Sequence, residues 1–190
     1  MTERLRDRVH AADEELFLRV ARRHDPRLDA VVPRVTNAAD YGLLWLVSAA
    51  ALAATGRKGR CAAARALVSM NVVSGIANGP AKWVARRPRP TLTEVPVLRQ
   101  LPRQPRTSSF PSGHSATAAA FATAVALESP LRGVPMLTLA AGVAYGRVHV
   151  GVHYPSDVVA GVALGIVGAV VVRRFAFRSS PVHRQFTDAP

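Results

Sequence analysis

A single cysteine in 190 residues excludes an intramolecular disulfide. That residue, Cys61, stands at the edge of an apolar run and reads as a small packing residue. Acidic residues are few: 12 Asp and Glu face 25 Lys and Arg, for a formal net charge of +13. Such an imbalance suits nucleic acid, a membrane surface or an anionic substrate. Aromatic residues make up only 6%, and the arginines do not interleave with them along one stripe, which argues against a nucleic-acid partner. Lipid headgroups and phosphate fit better. No apolar segment follows the N-terminus as a signal peptide requires, and no internal repeat is present.

Hydrophobic residues nevertheless make up 49% of the chain. That content and the +13 charge conflict in a soluble domain and agree in a membrane protein, where apolar residues gather in runs with the charges between them. Charge-free runs cover residues 41–56, 66–81, 107–127, 133–146 and 158–172. Only the third exceeds the length that by itself signals a spanning helix, and Arg65 and Lys82 stand where they can snorkel to extend a span. All five runs are rich in Ala, Gly and Ser, which lets membrane helices approach closely. The pattern predicts an all-α fold: a multi-pass transmembrane bundle of about five spanning helices in the plasma membrane. The link 57–60 is short. The link 83–106 is long, with five prolines and six arginines, and loops of that kind are often functional.

The first 40 residues differ, with eight arginines balanced by eight acidic residues. Residues 11–23 read as an amphipathic helix on the membrane surface, with Leu16, Phe17, Val20 and Ala21 on its apolar face. Pro26 and Pro33 are expected to break regular structure beyond it. The domain plan is therefore an N-terminal interfacial segment at 1–40, a membrane catalytic domain at 41–175 and a basic flexible tail at 176–190.

Three stretches carry chemistry. Pro111-Ser112-Gly113-His114 opens the third apolar run with helix start signals. A helix N-terminus offers free N–H groups and a positive dipole end, which together suit an anion. Before it comes Lys82 with Arg89-Pro90; after it come Arg147, His153 and Asp157. If the runs are spans, all three stretches fall on one face of the membrane. A phosphate monoester carries close to two negative charges and needs cations and donors. Lys82, Arg89 and Arg147 are candidate cations, and the Ser112 hydroxyl and Gly113 N–H are candidate donors. Asp157 orients His153 either on a shared helix face, four residues apart, or across a turn that puts Pro155 in a helix first turn. Arg86 and Arg87 read as headgroup contacts. His149 reads as structural or pocket-lining: its spacing from His153 can bind zinc, but no Glu follows it and no third ligand is evident. Ser115 reads equally as a donor or a packing residue, and His10, His24 and His183 as solvated.

These motifs resemble the type 2 phosphatidic acid phosphatase superfamily, whose pattern is K-x6-R-P, P-S-G-H and S-R-x5-H-x3-D. Every internal spacing matches, and one position departs: Gly146 stands where the family has serine. The resemblance implies a membrane lipid phosphatase with His153 as nucleophile, forming a phosphohistidine, and His114 as the acid for the leaving oxygen. Asp157 orients the nucleophile, and no metal or other cofactor is required. Candidate substrates are phosphatidic acid, phosphatidylglycerol phosphate, polyprenyl phosphates or diphosphates, and polyprenyl-linked sugar phosphates. A vanadate-binding haloperoxidase is a second reading, although members of that family are larger and soluble. A non-catalytic basic membrane binding or assembly protein is a third. Lys and Arg are balanced across the two faces, so orientation is not assigned by charge; nor is the oligomeric state.

Overall fold

The computed structural model describes residues 2–176, and all regular structure among them is helical. The helices are α1 (Thr2–Arg22), α2 (Pro26–Ala38), α3 (Leu43–Ala54), α4 (Arg57–Ile76), α5 (Lys82–Ala85), α6 (Gly113–Glu128), α7 (Pro130–His149) and α8 (Pro155–Ala176). A π-helical turn, Ala77–Ala81, joins α4 to α5, and 3-10 turns stand at Asp40–Gly42 and Val97–Arg99. The expected basic tail lies outside the described residues beyond Ala176, as does His183.

Helix α6 is the centre. Its Ala116, Ala118, Ala119, Ala120, Phe121, Ala122, Ala124 and Val125 are all buried, because α4, α7 and α8 pack around it. Small residues set these approaches. A Cβ on Gly165 of α8 would meet the Ala116 carbonyl oxygen at 2.3 Å, and one on Gly161 would meet that of Ser112 at 2.4 Å. The pair forms a Gly-x3-Gly face that lets two backbones touch, as in membrane helix packing. On the other side of α6, Trp45 of α3 packs on Phe121 with ring centroids 5.1 Å apart.

Several local expectations are corrected. The third apolar run holds one helix, α6, which starts where Pro111 and Ser112 signal it: Ser112 caps it, and residues 107–112 belong to the loop that precedes it. Among the described residues the helix long and apolar enough to cross a membrane is instead α8, with 22 residues and mean hydropathy 2.0; the bent pair α2–α3 meets the test only when taken together. Residues 57–60, expected as a link, form the first turn of α4. Arg65 does not simply snorkel; it ion-pairs with Glu128.

Pro26 and Pro33 do not break the helical structure. Pro26 occupies the first position of α2, where its missing N–H has no partner to lose, behind Asp25, whose carboxylate accepts from Arg27 N at 3.0 Å and Leu28 N at 3.2 Å. Pro33 lies inside α2. The N-terminal helix is longer than expected and turns a different stripe inward. Asp13, Phe17 and Ala21 are buried while Leu16 is 48% exposed, and α1 packs on α7 and α8, with Phe17 edge-on to Tyr154.

Candidate active site

The three motifs meet. Arg89 ties the first to the third: its Nη1 donates to the Val152 carbonyl at 2.7 Å and lies 3.4 Å from His153 Nε2. Its Nε donates to the Thr107 carbonyl at 3.0 Å. Lys82 Nζ reaches the Thr107 hydroxyl at 3.4 Å. Ser112 N donates to the Asp157 carbonyl at 2.9 Å, which links the second motif to the third. Gly113 is required by its surroundings, since a Cβ there would sit 2.3 Å from the Asn78 side-chain oxygen. Ser112, a candidate phosphate donor, is fully buried; its hydroxyl is hydrogen-bonded to the Ser115 hydroxyl across 2.9 Å and accepts from Ser115 N. Its hydroxyl is thus engaged in capping α6, and Ser115 is a polar partner rather than a packing residue.

His153 lies in the tight connection between α7 and α8 and is buried. Burial, reinforced by the Arg147 and Arg89 charges and opposed by Asp157, lowers its pKa to about 4. The imidazole is therefore neutral at pH 7, the state a nucleophile needs. Its Nδ1 is 3.6 Å from Asp157 Oδ2, just outside hydrogen-bond reach, as catalytic contacts often are before substrate binds. The two open possibilities for Asp157 resolve to the turn: Pro155 starts α8, and Asp157 in its first turn accepts from Tyr154 N at 2.9 Å. This is one half of a capping box.

Behind Asp157 stands a group that sequence reasoning assigned to the headgroups. Arg87 Nη1 donates to Asp157 Oδ1 at 2.7 Å, and its Nη2 to Asp13 Oδ2 at 2.6 Å; the guanidinium also covers the Tyr154 ring at 4.4 Å. Asp13 in turn accepts from Ser156 N at 2.8 Å at the start of α8. A chain of contacts Asp13–Arg87–Asp157–His153 therefore runs from the N-terminal helix to the candidate nucleophile. Arg86 is exposed. It also has a left-handed backbone, φ 44°, that few non-glycine residues adopt.

Arg147 is buried, and its Nη1 bonds Thr36 Oγ1 at 3.2 Å and approaches Asp40 Oδ1 at 3.4 Å. A Cβ on Gly146 would lie 3.0 Å from the Thr36 Cβ. Thr36 therefore fills the space beside the one departure from the family pattern and offers Arg147 a hydroxyl. His114 Nε2 is 2.6 Å from Asp40 Oδ1. None of Asp13, Arg87, Thr36 or Asp40 was legible as a site residue. One signal pointed to the two acidic ones: only Glu94, Glu128, Asp157 and Asp188 follow Asp40 as acidic residues, so a basic site that needs counter-anions has to draw on the first 40 residues.

Two side clusters complete the picture. Arg99 is fully buried; it ion-pairs with Asp29 at 2.6 Å and donates to the Ala21 carbonyl at 3.0 Å. His149 faces Asp29 at 3.2 Å. His24, read as solvated, is exposed yet contacts the same carboxylate at 2.8 Å. Beside Lys82 and Arg89 opens a cavity of about 1010 Å³ lined also by Trp83, Arg86, Arg106 and Thr107. Near His114 lies a second, of about 290 Å³.

Lipid A 1-phosphatase of Rhizobium etli is 53% identical over 57 residues, 30% of this chain and 25% of that protein; the match spans about a quarter of that relative's length. Decaprenylphosphoryl-5-phosphoribose phosphatase of Mycobacterium tuberculosis is 37% identical over 131 residues, 68% of each chain. In fold the chain resembles the crystal structure of Aquifex aeolicus LpxE, with TM-score 0.69 and 22% identity over 85% of this chain and 94% of that one. It also resembles the first transmembrane PAP2 type phosphatidylglycerolphosphate phosphatase from Bacillus subtilis, with TM-score 0.68 and 22% identity over 91% and 88%. Residues 63–181 match the PAP2 superfamily profile, and with all three motifs converging on one site this chain belongs to the PAP2 superfamily.

Proposed function

We propose that this chain is an integral-membrane lipid phosphatase that hydrolyses a phosphomonoester, or a diphosphate, through a phosphohistidine on His153. The observation that carries the reading is the meeting of Arg89 with His153 at 3.4 Å, with Asp157 behind the same imidazole. Lys82, Arg89 and Arg147 hold the phosphoryl oxygens, with the Gly113 N–H and the Ser112–Ser115 hydroxyl pair as donors at the α6 terminus. His153 Nε2 attacks phosphorus, and the lipid oxygen leaves with a proton from His114. Water then attacks the phosphohistidine and gives its proton to His114, so inorganic phosphate departs and both histidines are restored. Asp157 stabilises the His153 ring while it carries positive charge.

Two relatives bear on the substrate, a lipid A 1-phosphatase and a decaprenylphosphoryl-5-phosphoribose phosphatase. Both names describe phosphates carried on lipids, and the cavity beside Lys82 and Arg89 can take such a headgroup. In this reading α3, α4, α6, α7 and α8 are the spans within a catalytic domain at 41–175, and α1 lies on the membrane surface through Val9 and Leu16.

The test is a phosphate-release panel in detergent across phosphatidic acid, phosphatidylglycerol phosphate, polyprenyl phosphates and diphosphates, and polyprenyl-linked sugar phosphates. At least one should be turned over; release from none contradicts the function. The same assay with EDTA present and no added metal should proceed at full rate, because the site supplies its own cations. Activity that vanishes with EDTA and returns with Mg²⁺ or Zn²⁺ removes the metal-free scheme. Vanadate should inhibit competitively, since it mimics five-coordinate phosphorus, the form such a donor cluster holds best. Indifference to millimolar vanadate argues against this pocket.

A further inference from the structure

Asp40 lies before the residues matched by the family profile, in the turn between α2 and α3. One oxygen of its carboxylate, Oδ1, stands 2.6 Å from His114 Nε2 and 3.4 Å from Arg147 Nη1. Its side chain is 24% exposed, so it is a half-buried anion in contact with two residues of the proposed machinery. The charged groups that face His114 are Asp40 from the turn, Arg147 from α7 and Lys82 from α5. The rest of the small cavity at His114, including Trp45, Met70, Asn71, Ser74 and Asn78, carries no charge. One carboxylate is therefore set against two cations.

A leaving-group acid must hold its proton until the departing oxygen needs it. Which imidazole nitrogen acts on a substrate is set by the hydrogen bond the other one makes. We propose that Asp40 is the positioning residue of the leaving-group acid, fixing the His114 ring as Asp157 fixes His153. This rests on the phosphatase reading above. With Nε2 held by Asp40, Nδ1, which makes no bond to the described protein, is the nitrogen that delivers the proton to the lipid oxygen. In the second step water breaks the phosphorus–nitrogen bond and returns a proton to Nδ1. Asp40 stays ionised throughout.

The experiment compares leaving groups. Wild type, Asp40→Asn and Asp40→Glu are assayed in detergent on p-nitrophenyl phosphate, whose leaving group needs little protonation, and on the most active lipid phosphate of the panel. General acid catalysis contributes about 10²–10⁴-fold, so Asp40→Asn should lose roughly 10²-fold in kcat on the lipid and only a few-fold on the nitrophenyl ester. Asp40→Glu should recover most of the lipid activity. In a His114→Ala background Asp40→Asn should add no further loss. Thr36→Val, which perturbs Arg147 without touching His114, should lower both substrates equally. Equal losses on both substrates for Asp40→Asn place its effect on Arg147 or the fold and overturn the proposal. So does a gain in activity, which makes Asp40 a competitor of the phosphate, and so does an additive loss with His114→Ala. If Asp40→Asn does not survive solubilisation, Asp40→Glu carries the test, with a smaller loss of the same selective kind expected and an equal loss overturning it. A wild type that releases no phosphate from any substrate fails the phosphatase reading itself, a result distinct from all of these.

Discussion

Replacing His153 with alanine should lower phosphate release by about 10⁴-fold or more, the scale seen when an enzyme loses its nucleophile. The loss should be equally deep on a lipid phosphate and on p-nitrophenyl phosphate, because no leaving group, however good, replaces the missing attacking nitrogen. His114→Ala should lose most on the lipid, where the departing alkoxide is poor, and least on the nitrophenyl ester. His153 is held neutral and buried at the end of a short connection, while His114 sits at the α6 terminus with a carboxylate in contact. Residual rates on the two substrates, measured after checking that each variant remains folded, assign the roles. Activity retained by His153→Ala on either substrate, with equal losses for His114→Ala, reverses the assignment or removes the mechanism.

The second large effect is expected at a residue that takes no part in bond making. Arg87→Ala leaves two buried carboxylates without their cation: Asp13 and Asp157 are 3% and 0% exposed, and the Arg87 side chain is itself only 19% exposed. Removing one partner of a buried ion pair typically costs roughly 3–5 kcal/mol. For a chain of this length that is a fall in unfolding temperature on the order of 10 °C. Activity should fall by a further factor among the molecules that remain folded, since Asp157 loses the group that fixes its free oxygen. Arg87→Lys keeps the charge but loses the planar fork that donates to Asp13, Asp157 and the Ser156 hydroxyl, the last at 2.7 Å, so it should recover stability in part and activity less. The double variant Asp13→Ala with Arg87→Ala should be less destabilised than the sum of the two singles, since they share one contact. Thermal unfolding in detergent together with initial rates checks both quantities. An unfolding temperature within about 2 °C of wild type for Arg87→Ala, roughly 1 kcal/mol at most, contradicts the buried network.

The contrast between His153 and Arg87 marks what was legible. Lys82, Arg89, His114, Arg147, His153 and Asp157 stand at fixed spacings within three short stretches, and each motif keeps its members together whatever the rest of the chain does. Arg87 is two residues from Arg89 in the same basic run, and a charge run ordinarily reads as a solvated face. Only the path of the chain after α5, which turns at Arg86 in a left-handed conformation, carries the Arg87 side chain inward to Asp157. Asp13, Thr36 and Asp40 were hidden for a related reason: their roles depend on α1 and α2 packing against α7 and α8, a tertiary fact with no local signature. Over 107–127 apolar composition alone does not distinguish the helix from the loop that precedes it. The Ser112 cap, visible in the sequence, was the better guide to where α6 begins.

The measurement closest to the central claim is trapping of the intermediate. Wild-type protein mixed with a ³²P-labelled lipid phosphate and quenched within its first turnovers should carry a protein-bound label that survives alkali and is lost in acid, as a phosphohistidine is. Peptide mapping should place that label on His153, and the His153→Ala protein should show none with any substrate. A label that maps to another residue, or full turnover with no label at any time point, contradicts covalent catalysis at His153.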